Sequence, residues 1–343
     1  MSIKIAINGC GRIGRSFIRQ AAEREEVEVV AVNDLADIEQ AAYLLNYDTA
    51  YGRKAEPVSV AENGTELLEG DRRIKYLQEK EPENLPWEEL GVDLAIEATG
   101  VFTTFEDAGR HIAAGAKRAV ISAPAKDKPS NPTQKTILMG VNEEELKDCS
   151  VTSNASCTTN AGSPVISVLH DNIGIEKAVL STTHAYTASQ SVVDEGNSKK
   201  PRMGRAAALN IIPTTTGAAK ATTKVITELE ERFDGIALRV PVPAGSVADI
   251  TFIASRDTTE EEVNSLLLEA SYEERWKNIL AVTEEPVVSS DIIGSRYGSV
   301  ADLSFTKVVG GNLVKVLAWY DNESGYTGTL MEHVIKLGQY IEK

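Results

Sequence analysis

The sequence is poor in the residues that mark disulfide-bonded, metal-binding and nucleic-acid-binding proteins. Only three of its 343 residues are cysteines, at unrelated spacings, which argues against a disulfide framework and indicates a reducing compartment. The four histidines form no metal-ligand spacing with those cysteines, so we expect no metal site. Lysine and arginine number 35 against 51 acidic residues, and the net charge of -16 disfavours nucleic acids and anionic membranes as partners.

Long apolar runs are missing as well. No run reaches the roughly 18 residues needed to span a membrane, and the chain enters a strand-like segment at Ile3 without a targeting segment. We therefore expect a cytoplasmic protein. A composition of 42% hydrophobic and 25% charged residues is typical of globular proteins, and the length favours two domains.

The first motif is a glycine-rich turn. Residues 3–8 form an apolar run of strand length, and a G-x-G-x-x-G motif at residues 9–14 follows directly and opens a helical segment. In this setting Gly9 permits the tight turn, Gly11 lets a pyrophosphate approach the backbone, and Gly14 lets helix and strand pack closely. The motif predicts a dinucleotide-binding site.

A second strand-like run ends at Asp34, twenty residues beyond Gly14. A carboxylate there binds both ribose hydroxyls and repels a 2′-phosphate, which favours NAD over NADP as the cofactor. Thr99 and Ser122 follow later strand-like runs, where such sheets bind ligands, although ordinary turns explain their spacing equally well. The candidate cofactor-binding residues of this half are Gly9, Gly11, Arg12, Ile13, Gly14, Asp34, Thr99 and Ser122.

Strand-like and helical segments alternate through the first half, whereas longer β-rich stretches follow residue 156. We therefore predict an α/β fold with an N-terminal Rossmann-type, doubly wound parallel sheet and a C-terminal α+β catalytic domain with a largely antiparallel sheet. The dinucleotide-binding domain spans residues 1–156 and is completed by a C-terminal helix at 322–343, and the catalytic domain spans residues 157–321. An irregular region at 188–212 is long enough to be functional or interfacial.

Cys157 lies between a short strand-like run and a helical segment. Free N–H groups and the positive dipole end at a helix start favour a thiolate, so we expect its pKa to be lowered and Cys10 and Cys149 to be inert. The alternative is an inert, buried cysteine. His184 ends a strand-like run, and beside a cysteine it would activate the thiol and exchange protons with a substrate, although a lone histidine is more often structural.

Two further groups suit anions. Thr216 and Gly217 join a hydroxyl to backbone N–H groups at the start of a helical segment, where a phosphate binds or the hydroxyl only caps the helix. Arg239 lies inside an apolar run, and because an unpaired buried guanidinium is costly, we expect it to face an anion. The basic cluster at 199–205 is more typical of a solvated or subunit-facing loop than of a nucleic-acid contact.

Seven blocks of the sequence occur in the order found in one enzyme family. They are Asn8–Arg15, Asn33–Leu35, Glu97–Gly100, Ser153–Asn160, His184–Thr187, Asn210–Lys220 and Trp319–Tyr326. Over essentially its whole length, the chain resembles the phosphorylating glyceraldehyde-3-phosphate dehydrogenases. The resemblance implies NAD as the cofactor and a homotetramer.

The resemblance also implies a role for each candidate residue. Cys157 would be the nucleophile and His184 its partner. Thr187 and Arg239 would hold the phosphate of the substrate. The residues implied to bind inorganic phosphate are Ser156, Thr158, Thr216 and Gly217. The further cofactor-binding residues are Asn322, on the nicotinamide carboxamide, and Tyr326.

The implied reaction converts glyceraldehyde-3-phosphate and inorganic phosphate into 1,3-bisphosphoglycerate through a cysteine thioester, with NAD as the hydride acceptor. One alternative is an erythrose-4-phosphate dehydrogenase, which shares the cysteine and the histidine but releases an acid. A more remote alternative is a non-enzymatic binding protein on the same scaffold.

The chain departs from the family pattern in three places near the phosphate sites. Met203 stands where many bacterial members carry an arginine, which leaves Arg202 or Arg205 to compensate or weakens the inorganic-phosphate site. Residues 242–245 read Val-Pro-Ala-Gly instead of the more common Thr-Pro-Asn-Val, and Ser189 replaces a frequent aspartate. These departures concern the choice of sugar phosphate and the phosphate affinity.

Replacing Asp34 by alanine or glycine will weaken NAD binding and increase the use of NADP. The change removes the carboxylate that accepts hydrogen bonds from the ribose and repels a 2′-phosphate. Steady-state kinetics with each cofactor measures the preference. An unchanged NAD:NADP ratio would show that another part of the chain makes the discrimination.

Overall fold

The computed structural model describes residues 2–197 and 200–341. Residue 1 of the predicted first domain, Lys199 of the basic cluster, and residues 342 and 343 of the predicted C-terminal helix lie outside the described residues. Within the described ranges, no helix is long and apolar enough to cross a membrane.

Two compact units make up the chain. The first contains the described residues of Met1–Ile137, Asn142–Ala155 and Leu330–Lys343. The second contains Leu138–Val141 and the described residues of Ser156–Thr329. The predicted domains at 1–156 with 322–343 and at 157–321 stay a prediction, since compactness alone does not show which segment folds independently.

A nine-stranded, mostly parallel sheet forms the centre of the first unit. Its strands are β1 (Ile3–Asn8), β2 (Val27–Asn33), β3 (Val58–Val60), β4 (Glu66–Glu69), β5 (Arg72–Leu77), β6 (Leu94–Glu97), β7 (Arg118–Ile121), β8 (Gln134–Thr136) and β9 (Val151–Ser153). They lie in the order β3-β4-β5-β2-β1-β6-β7-β9-β8. Pairing is parallel from β5 to β8, and β3 and β4 add an antiparallel edge. Strands β6 and β7 are almost completely buried, as expected for parallel strands whose two faces are covered.

Three α-helices of the described residues belong entirely to the first unit. They are α1 (Arg12–Ala21), α2 (Ile38–Asn46) and α3 (Phe105–Ala113). Helix α3 shows why these segments begin where they do. The Thr104 hydroxyl accepts a hydrogen bond from the backbone N–H of Asp107 at 2.9 Å, and two acidic residues occupy the first turn. The cap gives a hydrogen-bond partner to an otherwise unpaired N–H group, and the acidic side chains interact favourably with the positive end of the helix dipole.

A seven-stranded, mostly antiparallel sheet forms the second unit. Its strands are β10 (Ile175–Ala185), β11 (Ile212–Thr215), β12 (Phe233–Val240), β13 (Ser246–Ala254), β14 (Leu280–Thr283), β15 (Ser299–Val309) and β16 (Leu313–Tyr320). They lie in the order β11-β12-β10-β13-β16-β15-β14, and of the strand pairs formed by described residues only β10–β12 and β14–β15 are parallel.

Helices cover one face of this second sheet. They include α4 (Cys157–Ile173), α5 (Ala218–Thr223) and α6 (Glu260–Ser271), while α7 (Ser324–Gly338) begins in the second unit and ends in the first. Helix α4 packs against β10, β13 and β16. Because β13 and β16 alternate buried and less buried residues, one face of each strand is available for that packing.

The predicted fold class is confirmed by the parallel sheet of the first unit and the largely antiparallel sheet of the second. The C-terminal helix α7 is shorter than the predicted 322–343, and α4 begins at Cys157 itself. Strand β15 escaped the sequence analysis because polar residues interrupt its apolar pattern. One of them, Asp302, is buried and accepts a hydrogen bond from the Trp319 indole N–H at 2.9 Å.

Substitutions at two glycines of the first turn separate an effect on stability from an effect on cofactor binding. A Cβ at Gly14 would lie 2.0 Å from the carbonyl oxygen of Gly9, whereas a Cβ at Gly11 would meet nothing within 4 Å. Gly14→Ala will therefore lower the free energy of unfolding by about 1–3 kcal/mol. Gly11→Ala will leave stability unchanged and weaken NAD binding, because the pyrophosphate needs that space.

Denaturant unfolding and NAD titration of both variants separate the two effects. A stable Gly14→Ala variant would show that the turn has room for a side chain. Full NAD affinity in Gly11→Ala would show that the pyrophosphate does not approach this position.

Candidate active site

In the first unit, the glycine-rich turn between β1 and α1 packs closely against the backbone that follows β6. Gly9 has φ +107, a left-handed conformation that favours glycine, and a Cβ there would lie 2.6 Å from the backbone of Ala98 and Thr99. Gly9 and Gly14 are thus required by the fold, and Gly11 is exposed. The predicted turn residues Arg12 and Ile13 open α1, and the Arg12 guanidinium pairs with Asp48.

Asp34 lies at the end of β2, directly beside the turn. One carboxylate oxygen accepts a hydrogen bond from the backbone N–H of Cys10 at 2.6 Å, and the other accepts one from the N–H of Ala36 at 3.0 Å. These two contacts hold the carboxylate at the carboxyl ends of the parallel strands. This is where a Rossmann-type sheet binds the ribose of a dinucleotide.

A buried carboxylate supports the neighbouring strand ends. Glu97, 1% exposed, accepts hydrogen bonds from the Asn8 side chain at 2.6 Å and from the Thr99 backbone N–H at 2.8 Å. His111 Nε2 lies 3.1 Å from the same carboxylate, and its Nδ1 accepts from the Trp87 indole N–H at 3.1 Å. Glu97 therefore links the ends of β1 and β6 and orients the exposed Thr99. The spacing of these residues in the sequence could not indicate these contacts.

The remaining cofactor candidates lie in different places. The Ser122 backbone N–H donates to the carbonyl of Glu97 at 2.9 Å, which places Ser122 at the same edge of the first sheet. Asn322 and Tyr326 are buried in the second unit. The Asn322 side-chain oxygen accepts a hydrogen bond from Ser246 at 3.2 Å.

Helix α4 begins at Cys157. Ser156 is its N-cap, and the Ser156 hydroxyl accepts a hydrogen bond from the N–H of Thr159 at 3.1 Å. Cys157 is partly exposed, whereas Cys10 and Cys149 are buried. The backbone N–H groups of Cys157 and Thr158 lie at the start of this helix and help to lower the pKa of the Cys157 thiol.

His184 reaches this sulfur from the next strand of the fold. Its Nε2 lies 3.3 Å from Cys157 Sγ, and its Nδ1 lies 2.7 Å from the carbonyl oxygen of Ala185. An Nδ1–H that donates to this carbonyl leaves Nε2 free to accept the proton of the thiol. The predicted cysteine–histidine pair is therefore within proton-transfer distance.

Arg239 completes the group from β12. Strand pairing places it directly beside His184, and its Nη1 donates to the carbonyl oxygen of Ala185 at 3.0 Å. The same Nη1 lies 2.8 Å from His184 Nδ1, which accepts from it only in the tautomer that carries the ring proton on Nε2. Nε2 accepts the thiol proton in the other tautomer, in which Nδ1–H and Arg239 both donate to the Ala185 carbonyl. Its Nε is buried and has no hydrogen-bond partner among the described residues. An unpaired buried N–H group is costly, so this donor is suited to an anion.

Burial shifts the pKa values of both Cys157 and His184. It raises the pKa of the Cys157 thiol, while Arg239, the Thr158 hydroxyl and the two backbone N–H groups lower it. Burial and the Arg239 charge lower the pKa of His184 to about 3. The predicted lowered pKa of Cys157 is therefore corrected, because the sequence showed the helix start but not the desolvation of the thiol.

The predicted phosphate ligands already have partners within the protein. The Thr158 hydroxyl lies 2.9 Å from the Tyr320 hydroxyl, and the Thr216 hydroxyl accepts from the Ala218 N–H at 3.2 Å. Gly217, which precedes α5, is exposed. Thr187 is held by its own loop, since its hydroxyl lies 2.9 Å from that of Ser189.

Tyr320 and Thr182 were missed in the sequence analysis. The Tyr320 hydroxyl lies 2.8 Å from that of Thr182, two residues before His184. The two-residue period of a strand could have indicated them. Thr182 lies on the same face of β10 as His184, and Tyr320 lies on the buried face of β16 with Ala318. Among the described residues, no group of three or more histidine, cysteine and acidic side chains could hold a metal ion.

One equivalent of an alkylating reagent will label Cys157 first, because the other two thiols are buried and burial raises the pKa of Cys10 to about 12 and of Cys149 to about 11. His184→Ala will slow this labelling at neutral pH, since it removes the proton acceptor 3.3 Å from the sulfur. Mass spectrometry identifies the labelled residue, and the rate is followed as a function of pH.

His170→Ala is the matched control. His170 lies in the last turn of α4, where its Nδ1 accepts from the backbone N–H of Ile175 at 3.1 Å, so its loss leaves the sulfur untouched. Labelling of Cys149 before Cys157, or equal rates in both histidine variants, would contradict the pairing.

Comparison with known proteins covers both halves of the chain. Residues 3–105 match the glyceraldehyde 3-phosphate dehydrogenase NAD binding domain, and residues 156–322 match the glyceraldehyde 3-phosphate dehydrogenase C-terminal domain. The first match confirms the predicted cofactor NAD.

Full-length relatives show the same similarity. The chain is 47% identical to a glyceraldehyde-3-phosphate dehydrogenase of Streptomyces coelicolor over 99% of this chain and 100% of the relative. It is 47% identical to that of Geobacillus stearothermophilus, with 99% and 98% coverage, and 44% identical to that of Borreliella burgdorferi, with 98% and 99% coverage. The chain belongs to the glyceraldehyde-3-phosphate dehydrogenase family.

Proposed function

We propose that this chain is an NAD-dependent, phosphorylating glyceraldehyde-3-phosphate dehydrogenase that forms 1,3-bisphosphoglycerate through a thioester on Cys157. The observation that carries the proposal is the arrangement of three side chains from three elements. Cys157 Sγ lies 3.3 Å from His184 Nε2, and the Arg239 guanidinium lies 2.8 Å from the other nitrogen of the same ring. A nucleophile, a base and an anion-binding cation are thus joined in one group.

The first step is addition of the Cys157 sulfur to the aldehyde carbon. The thiol proton passes to His184 Nε2, because a neutral imidazole is the acceptor nearest to the sulfur. Return of that proton to the aldehyde oxygen gives a thiohemiacetal. Backbone N–H groups at the start of α4 and the Thr158 hydroxyl stabilise negative charge at the sulfur while it reacts.

Oxidation of the thiohemiacetal needs a base and a hydride acceptor. His184 Nε2 takes the hydroxyl proton of the thiohemiacetal. NAD, when bound, supplies the acceptor for the hydride. Cys157 then carries an acyl thioester, whose carbon is attacked by inorganic phosphate. The carbon–sulfur bond breaks, the acyl phosphate leaves, and the sulfur regains its proton from His184.

The residues of the first unit fit NAD. The close approach of Gly14 to Gly9 seats α1 against β1, the open space over Gly11 admits a pyrophosphate, and the Asp34 carboxylate lies beside the turn. The proposed cofactor residues are Gly9, Gly11, Arg12, Ile13, Gly14, Asp34, Thr99, Ser122, Asn322 and Tyr326.

Two anion sites are proposed in the second unit. Arg239, with its unpaired Nε, and Thr187 hold the phosphate of the substrate. The proposed ligands of inorganic phosphate are Ser156, Thr158, Thr216 and Gly217.

A homotetramer in the cytoplasm is part of the same proposal. Large apolar side chains are exposed in the region that follows Thr187, and exposed apolar side chains that cluster on a surface are typical of subunit contacts. The exposed fractions are 80% for Val192, 71% for Val193, 83% for Leu209 and 69% for Ile211.

The second candidate, an erythrose-4-phosphate dehydrogenase, is favoured by one observation. Met203 is buried where many bacterial members carry an arginine, and Arg205 is paired with Asp194 at 3.0 Å. A weaker inorganic-phosphate site would let water cleave the thioester and release an acid. Rates on the two aldehydes, with and without phosphate, distinguish the two enzymes.

Arg239→Leu will reduce kcat/KM for glyceraldehyde-3-phosphate roughly ten- to hundredfold more than for unphosphorylated glyceraldehyde, because it deletes a charge-assisted contact worth about 1.5–3 kcal/mol. Both substrates also lose the Arg239 contact with His184, so the ratio of the two effects is the measurement.

Arg256→Leu is the control, since Arg256 lies on the surface and pairs with Glu262 at 2.7 Å. It should leave both substrates unaffected. Equal losses on the two aldehydes in Arg239→Leu would mean that Arg239 supports the site without binding the substrate phosphate.

A further inference from the structure

Three buried polar side chains lie next to one another at the carboxyl ends of the first sheet. Asn8, Asn33 and Glu97 are the last residues of β1, β2 and β6, and strand pairing places Asn8 directly between the other two. The Asn8 amide nitrogen donates to the Glu97 carboxylate at 2.6 Å, and the Asn33 amide nitrogen donates to Asn8 Oδ1 at 2.7 Å. Their exposed fractions are 2%, 3% and 1%. We call these three side chains the polar row.

Both ends of the polar row are bonded to other elements of the first unit. At one end, the backbone N–H of Glu79 donates to Asn33 Oδ1, and the Asn33 amide nitrogen donates to the Glu79 carbonyl, both at 2.8 Å. At the other end, His111 Nε2 lies 3.1 Å from the Glu97 carboxylate. Glu79 follows β5 and His111 lies in α3, so the row links the ends of four neighbouring strands to one helix.

The chemistry of Glu97 and His111 permits only one direction of donation along the polar row. The Trp87 indole N–H can only donate, and it lies 3.1 Å from His111 Nδ1, so the ring proton is on Nε2 and points at Glu97. A carboxylate can only accept, so Asn8 must turn its amide nitrogen to Glu97 and keep its oxygen for Asn33. A flipped amide would leave buried N–H groups without an acceptor, which is costly.

Two strand ends of the polar row continue directly into candidate cofactor residues. Gly9 follows Asn8, and Asp34 follows Asn33. The Gly9 N–H donates to the carbonyl oxygen of Asn33 at 2.7 Å. The Asp34 carboxylate accepts from the N–H of Cys10 at 2.6 Å. The distance between the ends of β1 and β2 therefore sets how far the Asp34 carboxylate lies from the turn. A dinucleotide spans that distance, because its pyrophosphate lies on the turn and its ribose on the carboxylate.

We propose that the three residues of the polar row are positioning residues, which hold the Asp34 carboxylate at the distance from the turn that favours NAD over NADP. The inference rests on the proposed function only in taking Asp34 as the ribose ligand, and it does not depend on the reaction at Cys157. Without the row, the strand ends keep their backbone hydrogen bonds but lose the side-chain bonds that fix their spacing. A displaced carboxylate binds the ribose hydroxyls less well and repels a 2′-phosphate less strongly, so NAD binding weakens while NADP binding does not.

Asn8→Ala tests the proposal, because among the described residues the Asn8 side chain has no hydrogen-bond partner besides Glu97 and Asn33. Isothermal titration calorimetry of the whole protein with NAD and with NADP gives both dissociation constants without turnover. The NAD:NADP affinity ratio should fall about three- to tenfold, a part of the roughly ten- to hundredfold fall expected when Asp34→Ala removes a hydrogen bond to a charged group. A role in stability alone would weaken both dinucleotides equally.

Asn33→Ala is the second variant, and Asn46→Ala is its matched control. The Asn46 side chain makes the same pair of bonds to the backbone N–H and carbonyl of one residue, Val58, both at 2.7 Å, and takes no part in the polar row. Both variants lose such a pair and should lower the free energy of unfolding in denaturant, but only Asn33→Ala should change the NAD:NADP ratio. An equal change of the ratio in both variants would contradict the proposal.

A double variant separates the polar row from the carboxylate. In Asp34→Ala the carboxylate is absent, so adding Asn8→Ala should change the ratio no further. Additive changes would overturn the proposal, as would equal weakening of NAD and NADP in Asn8→Ala or an unchanged ratio in both row variants. An unchanged ratio in Asp34→Ala would instead overturn the proposed role of Asp34 as the ribose ligand, and the inference with it.

Discussion

The register between β10 and β12 is the constraint on which the candidate active site depends. It sets Arg239 directly beside His184, so that one guanidinium reaches Nδ1 of the ring while Nε2 faces Cys157 Sγ. A slip of one residue would turn every side chain of β12 to the opposite face and remove Arg239 from the ring. The positions of base and cation are therefore set by the backbone hydrogen bonds of a sheet, which hold side chains more rigidly than a loop could.

Burial has opposite effects on the chemistry of this site. It removes the imidazole of His184 from water, partly desolvates the thiol of Cys157, and makes the remaining hydrogen bonds stronger. The same burial makes the thiolate form of Cys157 less stable by raising the pKa of the thiol. It also makes protonated His184 less stable, and the Arg239 charge adds to this second effect. Charge can therefore form at the sulfur only because fixed donors surround it: the first N–H groups of α4, the Thr158 hydroxyl and Arg239. The structure supplies these donors before any substrate arrives, which is the arrangement that electrostatic stabilisation of a reaction requires.

The two units use different parts of the chain for binding. In the first unit the backbone is decisive, because Gly9 and Gly14 allow a strand and a helix to approach where any side chain would collide. Buried Glu97 then holds the neighbouring strand ends in place. In the second unit side chains are decisive, and they come from positions far apart in the chain. This difference explains why the sequence predicted the dinucleotide site in more detail than the catalytic group.

Local patterns determined much of this protein. The glycine turn, the carboxylate of Asp34 and the placement of Cys157 at a helix start depend on neighbouring residues. The alternation of apolar segments was sufficient to predict a parallel sheet followed by a largely antiparallel one, although not every strand of either. The tertiary structure alone decided that residues 157, 184 and 239 meet, since that contact depends on pairing between distant strands. It also decided the protonation of the pair and the contacts of Tyr320. A helix dipole can be anticipated from sequence, but the desolvation that opposes it depends on how completely the rest of the chain encloses the sulfur.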